Sequence, residues 1–438
     1  MRKYDFIIIG AGFTGLSAAY YLTRLGKKTL VLEKSDSPGG LASSFKFPDG
    51  VSVEKFYHHW FNSDNDVRDL LKELGVENDI IVKNSSTGMY LNGRIWKLSS
   101  PLDLLKFKEL SFIDRIRLGS VMIRVKLLKN WKTIEHLSIR EWLEPICGKN
   151  AYDIVWKPLI NAKFSNFAEE ISAVWMWKKL ALRGGTRNKE GSEQLAYFKG
   201  GFGKLAEILV NNIKAQGGEV LFNQNVTCLK TNGKLIQSLL VNEKEITGNN
   251  FLFTTSLTIT ASLFKNTGFK KWLETLIKIK YLGNICLILR LKKSLSDTYW
   301  INVNEPDFPF VGVIEHTNFD SPENYANNHI VYLSKYIPWT AKEYSFSNKE
   351  YLEYALPYIK KMFPSFSNDW LLDYGVWREK FAQPVTVKNY SNIIPKNKTP
   401  YDNGFISTMA QIYPEDRGTN YAIREGKKIA TLMTKKTI

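Results

Sequence analysis

Cysteine is nearly absent from this 438-residue chain: Cys147, Cys228 and Cys286 are the only three, widely spaced and outside any C-x-x-C. That excludes a disulfide framework and a thiolate metal cluster, and it suits a reducing compartment. Histidine is scarce too, and His136, His316 and His329 stand at no ligand-like spacing, so no metal is expected. No uncharged apolar run reaches the length of a membrane span. The first apolar run, Phe6 to Ile9, reads as a strand rather than a signal peptide, and the expected location is cytoplasmic. Acid is in deficit. Lys and Arg number 60 against 43 Asp and Glu, a formal charge of +17, which favours anionic partners. No helix-turn-helix, zinc-finger or RNA-reading aromatic signature accompanies that charge, so no nucleic-acid partner is expected.

What is present is a composition of ordinary folded proteins, 44% hydrophobic and 24% charged, on a chain long enough for two domains. Its most informative stretch is Asp5-Phe6-Ile7-Ile8-Ile9-Gly10-Ala11-Gly12-Phe13-Thr14-Gly15-Leu16. It reads as a buried strand, a glycine turn and a helix opening at Phe13 and Thr14. Gly10 lets the chain turn, Gly12 lets backbone approach a pyrophosphate, and Gly15 lets helix and strand pack closely. The unpaired N–H groups of the helix start then face the phosphates. A second apolar run, Thr29 to Leu32, ends in Glu33, whose carboxylate suits ribose hydroxyls. The pattern therefore predicts a bound dinucleotide, the alternative being a glycine-rich loop.

The continuation, Glu33-Lys34-Ser35-Asp36-Ser37-Pro38-Gly39-Gly40-Leu41-Ala42-Ser43-Ser44, resembles the acid-then-double-glycine signature of FAD enzymes in the amine oxidase, protoporphyrinogen oxidase and phytoene desaturase superfamily. The resemblance implies FAD, held by Gly10, Gly12, Phe13, Thr14, Gly15, Glu33, Lys34, Gly40, Leu41 and Ala42. A helix pattern through Leu205, Ile208, Leu209 and Ile213, then a strand from Glu219, resembles the return to the FAD sheet, with Val226 matching a residue at the adenine edge. Near the other end, Gly404 to Ala422 resembles the closing flavin motif, in which Gly418, Thr419 and Asn420 open a helix against the ring. The usual Gly-Asp or Gly-Glu is replaced by Met409-Ala410-Gln411, so Gln411 or Asp416 is expected to take the ribityl contact. No cysteine follows Cys286, so the FAD is expected to be noncovalent.

The implied fold is α/β. Residues 1–64, 197–268 and 396–438 would form a Rossmann-type FAD-binding domain, and 65–196 and 269–395 a mixed sheet-plus-helix substrate domain. Eleven of the twelve tryptophans fall in the latter, which suits a small-molecule substrate, planar or linked to lipid or sugar. His58-His59-Trp60-Phe61 also resembles the flavin-adjacent histidine segment of UDP-galactopyranose mutases. His59 is therefore the candidate catalytic histidine, because an ordinary imidazole titrates near neutrality, with Trp60 and Phe61 beside the cofactor; a structural histidine is the alternative. In Trp377 to Pro384, Arg378 or Gln383 is expected over the ring, Arg378 as a second catalytic candidate that forks onto an anionic substrate. Lys280 is a guess for the flavin-side lysine of amine oxidases.

Three activities stay open. One is an FAD-dependent oxidoreductase that takes a hydride from substrate onto flavin N5; another is a non-redox sugar isomerase resembling UDP-galactopyranose mutase; the third is a flavin-binding protein without catalysis. Separately, residues 115–132 carry six basic residues and no acid, with Leu118, Val121, Met122, Val125 and Leu128 on one helical face. That stripe faces either the substrate domain or a membrane surface, which makes peripheral membrane association the alternative location.

Overall fold

The computed structural model describes residues 4–185 and 193–435. Strand β1 (Tyr4–Ile9) has Phe6, Ile7 and Ile8 with no exposure, as a strand covered on both faces requires. Gly10, at φ 107°, turns the chain into helix α1 (Phe13–Arg24). The return strand β2 (Thr29–Leu32) lies parallel to β1 with Leu32 opposite Ile9. The sheet runs Glu219–Leu221, β2, β1, Lys244–Phe253, Leu235–Val241, Val226–Asn232, with Gly404–Ile406 also paired to Lys244–Phe253. The pairings around β1 and β2 and to Gly404–Ile406 are parallel, and the two hairpin strands are antiparallel. In an open α/β sheet of this kind ligands bind beyond the carboxyl ends of the strands, where Gly10 and Glu33 stand.

A second seven-stranded sheet has the order Leu371–Pro384, Tyr281–Leu291, His329–Ile337, Gly312–Glu315, Trp300–Val303, Thr87–Leu91, Arg94–Lys97. It is mixed, because Trp300–Val303 joins Thr87–Leu91 in parallel and the other pairs are antiparallel. Alternation along Tyr281–Leu291 splits its side chains. Cys286 and Ile288 pack with α1 and the helix Gly201–Ala215, while Ile285, Leu287 and Leu289 pack on the helix Asn348–Met362.

Helices α2 (Pro101–Lys106) and α3 (Phe112–Leu127) belong to a helical layer with its own core, in which Leu118, Val121 and Val125 meet Trp142 and Trp175. The basic stretch thus packs its expected stripe inward. Helix α3 begins at Phe112, three residues before that stretch, and a second apolar stripe of Phe112, Ile116, Ile123 and Leu127 is left outside. The closing helix Thr419–Thr434 lies against α1 through small residues: a methyl added at Gly426 would sit 2.6 Å from the Thr14 carbonyl oxygen and from Ser17 Cβ.

Candidate active site

The glycine turn builds a cradle. Gly39 N–H donates to the Ala11 carbonyl at 2.9 Å, and Gly12 and Gly39 bridge in parallel. Gly40, left-handed at φ 58°, would carry a Cβ only 3.3 Å from Gly12 Cα. A methyl on Gly12 itself would meet nothing within 4 Å. The space above Gly12 is therefore open, walled by backbone and adjacent to the start of α1. That donor set and the missing side chains fit a pyrophosphate. Gly15 has a packing role, since a Cβ there would lie 2.0 Å from the Gly10 oxygen. Glu33 accepts from Ala11 N–H at 2.7 Å and from Ser35 N–H at 2.8 Å. A carboxylate has about four acceptor positions, so capacity for ribose hydroxyls remains. Phe13, Thr14 and Ala42 are buried, Leu41 and Val226 half-buried, and Lys34 exposed at the rim.

Two further segments converge on this end of the molecule. Trp60 is buried and its Nε1–H donates to Thr419 Oγ1 at 2.6 Å, while Asn420 Oδ1 accepts from Val67 N–H at 3.0 Å. The start of the closing helix is thereby fixed to the His58–Trp60 segment. His59 Nδ1 lies 3.1 Å from the Tyr299 hydroxyl next to the second sheet, with its ring edge-on to Phe61 and Trp300. His58 Nδ1 donates to the Phe56 carbonyl at 2.7 Å, which leaves its Nε2 as an acceptor. Burial pushes His59 down to about 3, helped by the Arg183 and Lys179 cations, and pushes His58 down to about 4. The expectation of an imidazole titrating near neutrality is thus corrected: desolvation keeps both rings neutral at physiological pH.

Behind His59 lies a charged cluster drawn from four elements. Arg417 donates through Nη2 to the Tyr336 hydroxyl at 2.8 Å and through Nε to Gln383 Oε1 at 3.0 Å. Asp416 accepts from Arg417 N–H at 3.0 Å and pairs with Lys179 at 2.8 Å. Lys163 sits 4.5 Å from the Tyr336 ring centre and 5.2 Å from that of Trp175. Trp175 Nε1–H is buried without an acceptor. Burial alone would raise Asp416, but Lys179, Lys163 and Arg417 outweigh it and hold the carboxyl well below its usual range. Tyr336 behaves alike: burial raises it, yet Arg417 and Lys163 bring its hydroxyl below the ordinary phenol. Burial pulls the Lys163 ammonium down.

Several expected site residues lie elsewhere. Arg378 stands opposite Ile285, on the face of the second sheet that packs against Asn348–Met362, and its guanidinium donates to Asn348 Oδ1 and the Phe346 carbonyl. A register shift between Leu282 and Asn284 separates it from Gln383, which is buried in the Arg417 cluster. Of the two, Gln383 is the one in the Arg417 cluster. Gln411 spends its side chain on Thr408 N–H and the Pro395 carbonyl as a turn cap, and Asp416 spends its carboxylate on Arg417 N–H, Gln383 and Lys179. Lys280 is exposed and donates to the Ile277 carbonyl, away from the cluster. Lys163, Lys179, Tyr336 and Arg417 were not singled out from sequence, and only Arg417, inside the closing motif, had a local signal.

Residues 13–432 match the family described as flavin containing amine oxidoreductase. A 15-cis-phytoene desaturase of Arabidopsis thaliana is 23% identical over 432 residues, covering 92% of this chain and 75% of its own. Reduced UDP-galactopyranose mutase shares the fold with a TM-score of 0.74 at 17% identity, over 98% of this chain and 96% of that one. A triple mutant of putrescine oxidase does so at 0.73 and 13%, over 99% of both chains.

Proposed function

The chain belongs to the flavin containing amine oxidoreductase family and is an FAD-dependent oxidoreductase, and from that premise we propose that it removes a hydride from a carbon of an anion-bearing small molecule. The observation that carries this reading is the convergence of the glycine cradle, the Trp60–Thr419 bond and the His59–Tyr299 contact at one end of the molecule. In this reading Gly10, Gly12, Gly15 and Gly40 admit the pyrophosphate, and Glu33 takes the ribose. The backbone amides of Gly418, Thr419 and Asn420, at the start of the closing helix, would hold the far end of the cofactor, where a helix start favours negative charge. Once bound, noncovalently, FAD supplies the hydride acceptor.

The chain's own residues orient and shield. His59, neutral and steered by Tyr299, offers its second ring nitrogen as a hydrogen-bond partner for substrate; it does not act as an ordinary acid near pH 7. Tyr57, Trp300 and Tyr299 line this wall with rings and exclude water. Lys163, Lys179 and Arg417 outnumber the single Asp416 carboxylate, and Trp175 adds a donor that lacks an acceptor. An anionic group on the substrate would answer both features. The mutase reading draws on the His58–Phe61 segment and the basic charge. The mutase fold is shared equally by an oxidase and the family match is to oxidoreductases, so the redox reading is preferred.

The test is anaerobic mixing of the oxidised holoenzyme with carboxylate-bearing porphyrinogens, polyenes and amines while the flavin's yellow absorbance is followed. Bleaching by a carboxylate-bearing donor, with recovery of a product two electrons more oxidised, is the expected result. Bleaching by none of these, together with conversion of nucleotide sugars by the dithionite-reduced enzyme alone, would replace this reading with the isomerase.

A further inference from the structure

The face that α2 and α3 turn outward is unlike the rest of the surface. Fifteen large hydrophobic residues are exposed among the described residues, and seven of them fall between positions 102 and 127: Leu102, Leu105, Phe112, Ile113, Ile116, Ile123 and Leu127, at 46 to 68% exposure. At about 100° per residue, Phe112, Ile116, Ile123 and Leu127 fall within roughly 60° of one another. Leu118, Val121 and Val125, which are buried, occupy the opposite side. Helix α3 is therefore apolar along two stripes, one facing the core and one facing out. Arg117 and Arg124 lie along one boundary between them, Arg115 and Lys126 along the other. Lys106 and Lys108 are exposed at the start of this face, and Lys129 just beyond α3.

The acidic residues nearby are engaged. Asp103 caps α2 by accepting from Ser99 and Ser100 N–H, and Asp114 accepts from Ser111 and Asn150. Arg115 ties the two helices together by donating to the Leu105 and Leu110 carbonyls. The remaining exposed cations, Arg117, Arg124 and Lys126, sit at the edges of the apolar stripe. Arg117 lies against Gly148 and beside Asp114 at its edge, and the long stems of such residues let their heads reach a headgroup layer.

We propose that α2 and α3 dock the protein on an anionic lipid surface. Helix α3 lies in the headgroup plane, with Phe112, Ile116, Ile123 and Leu127 at the acyl boundary and Arg117, Arg124 and Lys126 at the level of the phosphates. An apolar stripe between two basic flanks is the arrangement such a surface accepts. A second copy of the chain fits poorly, because a two-fold contact would set the same basic flanks against each other. No helix among the described residues is long and apolar enough to cross a membrane, so the contact is peripheral. It also has a neighbour of interest. Trp177 Nε1–H donates to the Val125 carbonyl at 3.1 Å, so the helix Ala173–Gly185, which carries Lys179, stands directly behind the docking face.

The experiment is flotation of the full-length, FAD-loaded protein with vesicles of phosphatidylcholine alone or mixed with phosphatidylglycerol. Binding about tenfold stronger to the mixed vesicles, weakening as sodium chloride rises, is expected. The double variant Ile116→Glu, Ile123→Glu should bind about tenfold more weakly or worse while keeping its flavin content, since both positions are exposed. Arg117→Gln with Arg124→Gln should lose the preference for anionic vesicles. As a second measurement, a tryptophan placed by Ile123→Trp should be quenched by lipids brominated in the acyl chain. The proposal is overturned if the wild-type protein floats with neither vesicle, if the glutamate variant binds as wild type, or if the new tryptophan is not quenched. It is equally overturned if the wild type is a dimer that the glutamate variant dissociates.

Discussion

Replacing Gly12 by alanine should separate cofactor binding from folding. Gly12 has φ −72° and ψ 171°, an extended conformation open to any residue, and its Cβ would meet nothing within 4 Å. The protein without FAD should therefore be as stable as the wild type, or more stable by about 0.4–1 kcal/mol through loss of unfolded-chain entropy. With FAD the new methyl projects into the space assigned to the pyrophosphate. An overpacking cost of about 1–3 kcal/mol corresponds to affinity about 5- to 150-fold weaker. Gly15→Ala is the contrast. Its Cβ would lie 2.0 Å from the Gly10 backbone oxygen and 3.1 Å from Thr254 Oγ1, and that hydroxyl donates to the Ile9 and Gly10 carbonyls. The contact cannot relax by a rotamer change, so the apoprotein itself should lose about 3 kcal/mol. Urea unfolding of both deflavinated variants, followed by FAD titration with flavin fluorescence as readout, distinguishes the two effects. An alanine at position 12 that left FAD affinity unchanged, or destabilised the apoprotein, would refute the assignment of the cradle.

Asp416→Asn should destabilise by about 2–3 kcal/mol, less than a fully buried pair, because Lys179 remains about a third exposed. Its folded carboxyl is held below the unfolded value, so this contribution is present above about pH 4 and is lost as pH falls through the folded value; the gap between variant and wild type in urea should close in acid. For His59 and His58 the folded values, about 3 and about 4, lie below the ordinary imidazole, so the unfolded state binds more protons and stability should fall as pH drops below about 6.5. His59→Gln should make that slope shallower by up to about 1.4 kcal/mol per pH unit between about pH 6 and 4, and an unchanged slope in pH-dependent denaturation would show that the ring is solvated. Arg378→Ala should keep wild-type flavin content and flavin reduction rate and cost about 1–2 kcal/mol from its bonds to Asn348 and Phe346; a loss of substrate reduction at intact stability would return Arg378 to the site.

The parts of this structure that sequence made visible are those whose physics is local. A strand, a glycine turn and a helix start are written in adjacent residues, so β1, α1 and β2 follow from positions 4 to 33, and the helix Gly201–Ala215 follows from apolar spacing and flanking glycines, whereas the closing helix is implied by resemblance to the flavin motif. The charged cluster has no such record. Lys163, Lys179, Tyr336, Gln383 and Asp416 share no period and meet only because two sheets and a helical layer bring them together. Arg378 and Gln383, five residues apart on one strand, take opposite faces by alternation, but which face meets the cluster is set by what packs on the sheet and leaves no compositional trace. His59 was found by its neighbours in sequence, but its titration was not, because desolvation is a property of everything packed around it. A wheel begun at Arg115 omits Phe112 from the outward stripe of α3, and periodicity alone does not tell which of two apolar stripes the fold buries.

The seam between α1 and the closing helix bears on how the molecule is made. Thr14 and Ser17 leave the ribosome long before Gly426, yet they pack at distances that admit no side chain. Until the closing helix emerges, one side of α1 has no cover, and Trp60 and Val67 lack the Thr419 and Asn420 groups that bind them. The glycine turn can form early, since its contacts are local. The packing beyond it is completed only when contacts of very long sequence separation form, the slowest kind for a growing chain. Loading of the cofactor is thereby tied to emergence of the closing helix: a nascent chain stalled before Gly418 would carry the glycine cradle without the helix proposed to face the flavin.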